Sequence, residues 1–232
     1  MTTQQSSVQL TNLDHDSERL GHFRKLFTEE GYVPLPGFLT ASGLDALRRE
    51  VDHLESVATR RDFNMECMND TPRHMTTVGG HVISDESPLI CDLYGDPTVM
   101  QFLRDVTGLE LIAAPDLVER HVANFLHLPG DVHGAHFDDY PVALLLFVET
   151  PGSPEDGGLL EFLANAGDLA EIDGPDTRRA FHVSGDAYVL RTDTTAHRVT
   201  ALSRPCRRVV LNFAYATPDS ATVTPSASLL YA

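Results

Sequence analysis

Cysteine, basic side chains and long apolar runs are all scarce in this chain, and each shortage excludes a class of protein. The three cysteines, Cys67, Cys91 and Cys206, are odd in number, far apart and free of any CxxC pair. That disfavours a disulfide scaffold and a zinc knuckle, and makes a reducing cytoplasm the expected compartment. Lys and Arg number 17 against 34 Asp and Glu, a formal charge of -17. Such a field repels nucleic-acid phosphates and anionic membrane surfaces, so the expected partner is a small molecule, with no nucleic acid and no membrane. With so few cations, any arginine directed inward is a candidate for a specific task. No apolar stretch reaches the roughly 20 residues of a membrane span. The opening MTTQQSSVQLTNLDHD lacks the basic start and apolar run of a signal peptide.

The chain does have enough apolar material for one substantial core: 232 residues, 42% hydrophobic. Residues 16–30 have helical spacing, with Leu20, Phe23, Leu26 and Phe27 on one side and Gly31 as a stop. A second helix is expected over 42–59, capped by Thr40 or Ser42. Residues 88–94 and 97–107 also read as helices. Between them, residues 60–87 carry Asn64, Asn69, Pro72 and Gly79-Gly80, and are expected to form a long irregular segment that covers a site. The pattern then becomes strand-like at 117–128, 142–148, 159–163, 187–190 and 208–214. Turns rich in Gly, Pro and Asp separate these runs. The expected fold is mainly β with a helical flank: a double-stranded β-helix, or cupin-like jelly roll. Residues 1–16 are expected to be a flexible start and 17–217 one domain with its helical flank at 17–110. Residues 218–232 form a tail or pocket cover, and the flank leaves room for a homodimer.

Chemistry concentrates at His136-Phe137-Asp138 and, far downstream, His197. Two ligands at i and i+2 share one face of a strand, and a third can arrive from another strand. Two imidazoles and one carboxylate then occupy one face of an octahedral metal and leave the other open, the arrangement typical of non-haem Fe(II) oxygenases. The His-x-Asp pair is expected to open the 142–148 strand, and His197 to follow a strand. Other metal chemistry, a cupin-like metal-binding protein without activity, and structural histidines remain alternatives. The three ligands cannot reduce O2 alone, so an organic co-reductant is needed. A 2-oxoacid can chelate the iron, and its far carboxylate calls for an arginine fork. Arg204, Arg207 and Arg208 are the candidates. Arg208, Val210, Asn212 and Ala214 share one strand face, as a polar cavity wall would. Arg207, Val209, Leu211 and Phe213 share the other, more apolar face. Parity selects Arg208, with Arg207 the alternative.

The His136-x-Asp138, His197 and Arg208 pattern resembles the Fe(II)/2-oxoglutarate-dependent dioxygenase superfamily over most of residues 17–217. The stretches Glu119-Arg-His-Val-Ala-Asn, Gly130-Asp-Val-His-Gly-Ala-His-Phe-Asp-Asp and Gly157-Gly-Leu-Leu-Glu-Phe resemble one branch. That branch holds small hydroxylases and radical halogenases acting on free amino acids. The resemblance implies Fe(II), 2-oxoglutarate and O2, with His136, Asp138 and His197 as metal ligands and Arg208 as the 2-oxoglutarate anchor. It also implies a substrate bordered by Arg73, Glu119, His133, Asp139, Asn212 and the position of Ala214. The branch's halogenases carry Gly in place of the metal-binding carboxylate, which makes room for halide. Asp138 stands here, so hydroxylation is favoured over halogenation. Desaturation, cyclisation or tailoring of a secondary metabolite by a phytanoyl-CoA-type enzyme would use the same triad. The lysine halogenases are expected to have a polar residue where Ala214 stands and a Trp near the C-terminus. This chain has no Trp, so its pocket end differs, while Arg73 and Glu119 still suit a zwitterion.

Overall fold

A computed structural model describes residues 9–13, 16–222 and 228–231. Helix α1 (Ser17–Glu30) begins where the Asp16 carboxylate accepts the backbone N–H groups of Glu18 and Arg19. It ends at Gly31, which adopts φ 65°. Strand β1 (Tyr32–Leu35) follows, and the Thr40 hydroxyl accepts the Gly43 N–H to start α2 (Ala41–Glu55). After α3 (Gly80–Glu86), both α4 (Pro88–Tyr94) and α5 (Pro97–Thr107) begin with proline behind a capping side chain, Ser87 and Asp96 respectively. Proline suits this position because its missing N–H would have no helical acceptor there.

The remaining strands are β2 (Thr59–Met65), β3 (Thr71–Val78), β4 (Ile112–Ala113), β5 (His121–Leu126), β6 (Val132–His136), β7 (Val142–Glu149), β8 (Leu160–Leu163), β9 (Arg178–Ala180), β10 (Ala187–Arg191), β11 (Ala196–Val199) and β12 (Arg208–Ala216). They form one antiparallel sheet in the order β1-β10-β7-β12-β5-β3-β6-β11-β8-β9, with β2 added to β3 and β4 to β12. Strand β3 makes the curl. Its first half pairs with β6, Arg73 opposite His133, and its second half with β5, Val78 opposite Ala123. The sheet therefore bends around an interior, as a jelly roll with a helical flank does.

Pleating decides which side chains enter that interior. On β12, Val209, Leu211, Phe213 and Tyr215 join Phe23, Phe27, Leu47, Val51, Phe102 and Val106 of the helices in one core. Each such side chain is worth about 1.5–3 kcal/mol when fully buried. Arg208, Val210 and Asn212 point the other way, into the curl, and sit opposite Leu126, Asn124 and Val122 of β5.

Three sequence expectations need correction. Residues 60–87 are not irregular: they hold β2, a short 3-10 turn (Glu66–Met68), β3 and α3. Polar residues on the inner face of β3 hid its alternation, for Arg73, Met75 and Thr77 are buried there, with Val78 buried at its end. Within the start, residues 10–12 are tied to the body. Thr11 bridges Leu39, and the Thr40 N–H donates to the Leu10 carbonyl at 3.0 Å. The His-x-Asp pair closes β6 instead of opening β7, and His197 lies inside β11. Within 218–232, a short helix α6 (Ser228–Tyr231) packs on the body through Leu230 and Tyr231. The expected flexibility of 1–8 and 14–15 lies outside the described residues.

Candidate active site

The curl brings β6 and β11 side by side with His136 directly opposite His197. Asp138 lies just past the end of β6, where its N–H donates to the Thr192 carbonyl at 3.0 Å. One ligand atom from each of His136, Asp138 and His197 falls within 4.8 Å of the others. The ring orientations suit metal binding. Nδ1 of His136 donates to the Gly134 carbonyl at 2.8 Å, and Nδ1 of His197 to the Thr195 carbonyl at 3.0 Å. A carbonyl only accepts, so each Nδ1 carries the hydrogen and each Nε2 presents its lone pair. The Nε2 atoms stand 3.5 and 3.8 Å from Asp138 Oδ1. Burial, with His197, His133 and Arg73 nearby, pushes the His136 pKa well below its ordinary value, which keeps that imidazole neutral. Burial raises the Asp138 pKa, a cost a bound cation would remove. Two imidazole nitrogens and one carboxylate match the facial ligand set of Fe(II).

Two small cavities meet at His136 and His133, which line both. The first, of about 30 Å³, contains Arg208 together with His197, Asn124, Asn212, Tyr188 and apolar residues of β3, β7, β8 and β12. Arg208 is 3% exposed. Its Nε donates to the Gly158 carbonyl at 2.9 Å and its guanidinium lies over the Phe147 ring at 5.4 Å. No carboxylate pairs with it among the described residues, and burial lowers its pKa to about 10. The second cavity, of about 40 Å³, is lined by Arg73, Glu119, Asp138, Asp139, Met65, Met68, Leu230 and Tyr231, among others. Arg73 is 1% exposed. Its Nη1 donates only to Thr71 and Pro72 oxygens, and its Nε has no partner. Burial pulls its pKa down to about 10 as well. Glu119 lines the same cavity. Burial, then Asp139 and Asp138, raise the Glu119 pKa to about 9. Two wider grooves, of about 540 and 610 Å³, lie elsewhere on the surface and include no triad residue.

Of the residues singled out in sequence, His136, Asp138, His197, Arg73, Glu119, His133, Asp139, Arg208 and Asn212 come together around these two cavities. Ala214 does not: it packs with Ala114, Tyr140 and Ala216 and lines neither cavity. Arg207 lies on the helix side, bound to Asp52, Glu55 and Glu149. Glu119 reaches the cavity from the turn that precedes β5. Strand β5 starts only at His121, and Ala123 and Phe125 belong to the helix-facing core. Sequence reasoning missed Asn124, Tyr188, Met65, Met68 and Tyr231. Asn124 had a legible signal, one amide within the otherwise apolar run Val122–Leu126. For Tyr231 the only signal was at the level of the segment, the expectation that 218–232 form a tail or pocket cover, because the residue's own place depends on how the chain end returns.

The family described as Halogenase D matches residues 15–228. No curated protein sequence matches the chain. Among solved structures, the chain resembles the α-ketoglutarate-dependent epimerase SnoN of nogalamycin biosynthesis, at TM-score 0.66 and 16% identity, over 87% of this chain and 84% of that one. It resembles iron-bound HygX from Streptomyces hygroscopicus at TM-score 0.62 and 16% identity, over 89% and 87%. A Pseudomonas putida prolyl-4-hydroxylase follows at TM-score 0.58 and 18% identity, over 85% and 98%. These likenesses concern the fold, and together they span more than one reaction type. No described helix is long and apolar enough to cross a membrane.

Proposed function

We propose, from the premise that this chain belongs to the Halogenase D family, that it is an Fe(II)- and 2-oxoglutarate-dependent dioxygenase hydroxylating an unactivated C–H bond of a free, zwitterionic polar amino acid or close derivative. The observation that carries this reading is a pair of buried guanidiniums, Arg208 and Arg73. Each lacks a carboxylate partner among the described residues, and the two lie in separate cavities that meet at His136. An unpaired charge away from water costs several kcal/mol, so each position favours an anionic ligand. Two anion sites flanking one metal site fit a co-substrate and a substrate that both carry carboxylates.

His136, Asp138 and His197 would hold the iron, which with 2-oxoglutarate and O2 supplies the oxidising power to insert oxygen into a C–H bond. Arg208 binds the far carboxylate of 2-oxoglutarate bidentately. The surrounding Met75, Leu126, Leu145, Leu160 and Val210 exclude water from that site. Arg73 binds the substrate carboxylate. Glu119 and Asp139 line the same second cavity and receive the ammonium group. Glu119 holds a proton in the empty site and gives it up when a cation arrives. These contacts hold one C–H bond toward the iron, which is what positioning contributes to rate.

Asp138 sets the reaction type. A carboxylate there fills the coordination position that the family's halogenases leave for halide, so oxygen transfer is the expected outcome. The deciding experiment reconstitutes the protein anaerobically with Fe(II), then adds 2-oxoglutarate, O2 and a panel of free amino acids, reading succinate and product mass together. Substrate-dependent succinate with a +16 product supports the reading; a -2 product replaces hydroxylation with desaturation or cyclisation. Succinate released only with an unrelated small molecule sinks the amino-acid assignment.

A further inference from the structure

The second cavity is smaller than the molecule it is proposed to hold. At about 40 Å³ it falls far below the roughly 300 Å³ at which ordinary ligand pockets begin. Part of its wall must therefore move when substrate enters. Arg73, His133 and His136 sit on β3 and β6, paired strands of a continuous sheet. The remaining wall includes Leu230 and Tyr231 of α6, a single turn of helix. Both side chains are buried, at 4% and 8% exposure, and pack with Met75, Val122, Leu126 and Leu202. The Tyr231 carbonyl rests on Gly79, where a Cβ would come within 2.7 Å of it. The Tyr231 phenol hydrogen-bonds with Asn124, a residue of the Arg208 cavity, and lies close enough to Asp138, Arg73 and Glu119 to feel their charges.

We propose that Tyr231 is a specificity-determining residue: its phenol limits the length of amino acid that fits between Arg73 and the Glu119–Asp139 pair. The contact with Asn124 fixes that limit relative to the 2-oxoglutarate cavity. This rests on the amino-acid reading above and adds the residue that selects among amino acids.

The test is calorimetric and needs no turnover. Mn(II)-loaded protein saturated with 2-oxoglutarate is titrated with 2,3-diaminopropionate, ornithine and lysine, with thermal melts confirming that each variant is folded. Each added methylene that stays buried is worth about fourfold in affinity, and exclusion of one that does not fit costs about tenfold or more. The parent protein should therefore prefer one length by about tenfold. Tyr231→Ala should move the preference to a longer amine and flatten it, while Tyr231→Phe, which keeps the ring and loses only the hydroxyl contact with Asn124, should weaken the preference without moving it to a longer amine. Gly79→Ala, which pushes on the Tyr231 carbonyl from outside the cavity, should shift it in the same direction as Tyr231→Ala. An unchanged ranking in folded Tyr231→Ala overturns the proposal. If no amine binds the parent but one binds Tyr231→Ala, the wall stands and the parental amino-acid reading falls. If none binds either protein, both fall.

Discussion

Gly158→Ala tests the assignment of Arg208 without touching a charge. Gly158 has φ +70°, and a Cβ there would lie 2.8 Å from Arg208 Cδ and 3.3 Å from Leu202 Cδ2. Carbon atoms normally rest at about 3.5 Å or beyond, so the arginine stem must retreat by about 0.7 Å. The same residue's carbonyl accepts the Arg208 Nε hydrogen bond at 2.9 Å, so retreat also strains the contact that aims the guanidinium. A charged, bidentate hydrogen-bond pair contributes about 1.5–3 kcal/mol, and spoiling half of it raises the 2-oxoglutarate Kd about tenfold. The left-handed backbone costs a further ~1–2 kcal/mol of stability, or about 2–8 °C in Tm for a chain of this size. Gly37→Ala separates the two effects. Its φ is +63° with nothing within 4 Å of the added Cβ, so it should lower Tm and leave binding alone. Titration of 2-oxoglutarate into the Mn(II)-loaded variants, with melts alongside, reads both. If Gly158→Ala loses stability yet binds 2-oxoglutarate as tightly as the parent, Arg208 is not the anchor and the two-anion argument fails with it.

Four further outcomes follow from the same geometry. Arg208→Ala should abolish 2-oxoglutarate binding by calorimetry. Arg207→Ala, which removes only the links to Asp52, Glu55 and Glu149, should leave binding intact and cost about 1 kcal/mol in denaturant unfolding. His136→Ala should eliminate stoichiometric Mn(II) binding while retaining the fold by circular dichroism, because that ring faces cavities and not the helix-packed core. Stability should fall in acid through Asp131. Burial raises its pKa, but hydrogen bonds from Arg60 and from the backbone of His127 and Leu128 outweigh burial and hold it below the unfolded value of about 3.9. The folded pKa is the lower one, so this stability is fully present above about pH 4 and is lost as pH falls through the folded value. Melts between pH 5 and pH 3 should show a shallower acid loss in Asp131→Asn, which starts from lower stability at pH 7.

The sequence was most legible where one periodicity ruled. Helices α1, α2, α4 and α5 could be read from their apolar spacing, with Thr40 or Ser42 read as the cap of α2, while the caps at Asp16, Ser87 and Asp96 emerged only in the structure. The interior face of β12 was readable because Val209, Leu211 and Phe213 were plainly core and left Arg208 for the cavity. Strands β2 and β3 were illegible for the converse reason. A strand that lines a polar site buries Arg73 and Thr77, and burial of polar groups looks like a loop in sequence. Glu119 marks a limit of the parity argument used for β12. Parity is meaningful only inside a strand, and this residue lies before one. Tyr231 and Asn124 needed the fold itself, since their contact joins the end of the chain to the middle of β5.

The position of Asp138 decides how far the family resemblance can carry the chemistry. Almost everything around it serves positioning: backbone carbonyls of Gly134 and Thr195 orient the two imidazoles, and the Arg208 and Arg73 cavities separate two anions. None of those features discriminates oxygen transfer from halide transfer. Under the proposed reading the carboxylate does, because its removal frees a coordination position without touching the Arg208 cavity, whose wall does not include Asp138. Asp138→Gly should therefore keep 2-oxoglutarate binding within about threefold, since Arg208 contributes the dominant contact, while metal affinity becomes sensitive to added chloride. Calorimetric titration of Mn(II) with and without chloride measures that directly. Loss of 2-oxoglutarate binding in Asp138→Gly would instead mean that the carboxylate organises the whole site. The family's division between halogenation and hydroxylation could not then rest on this one position.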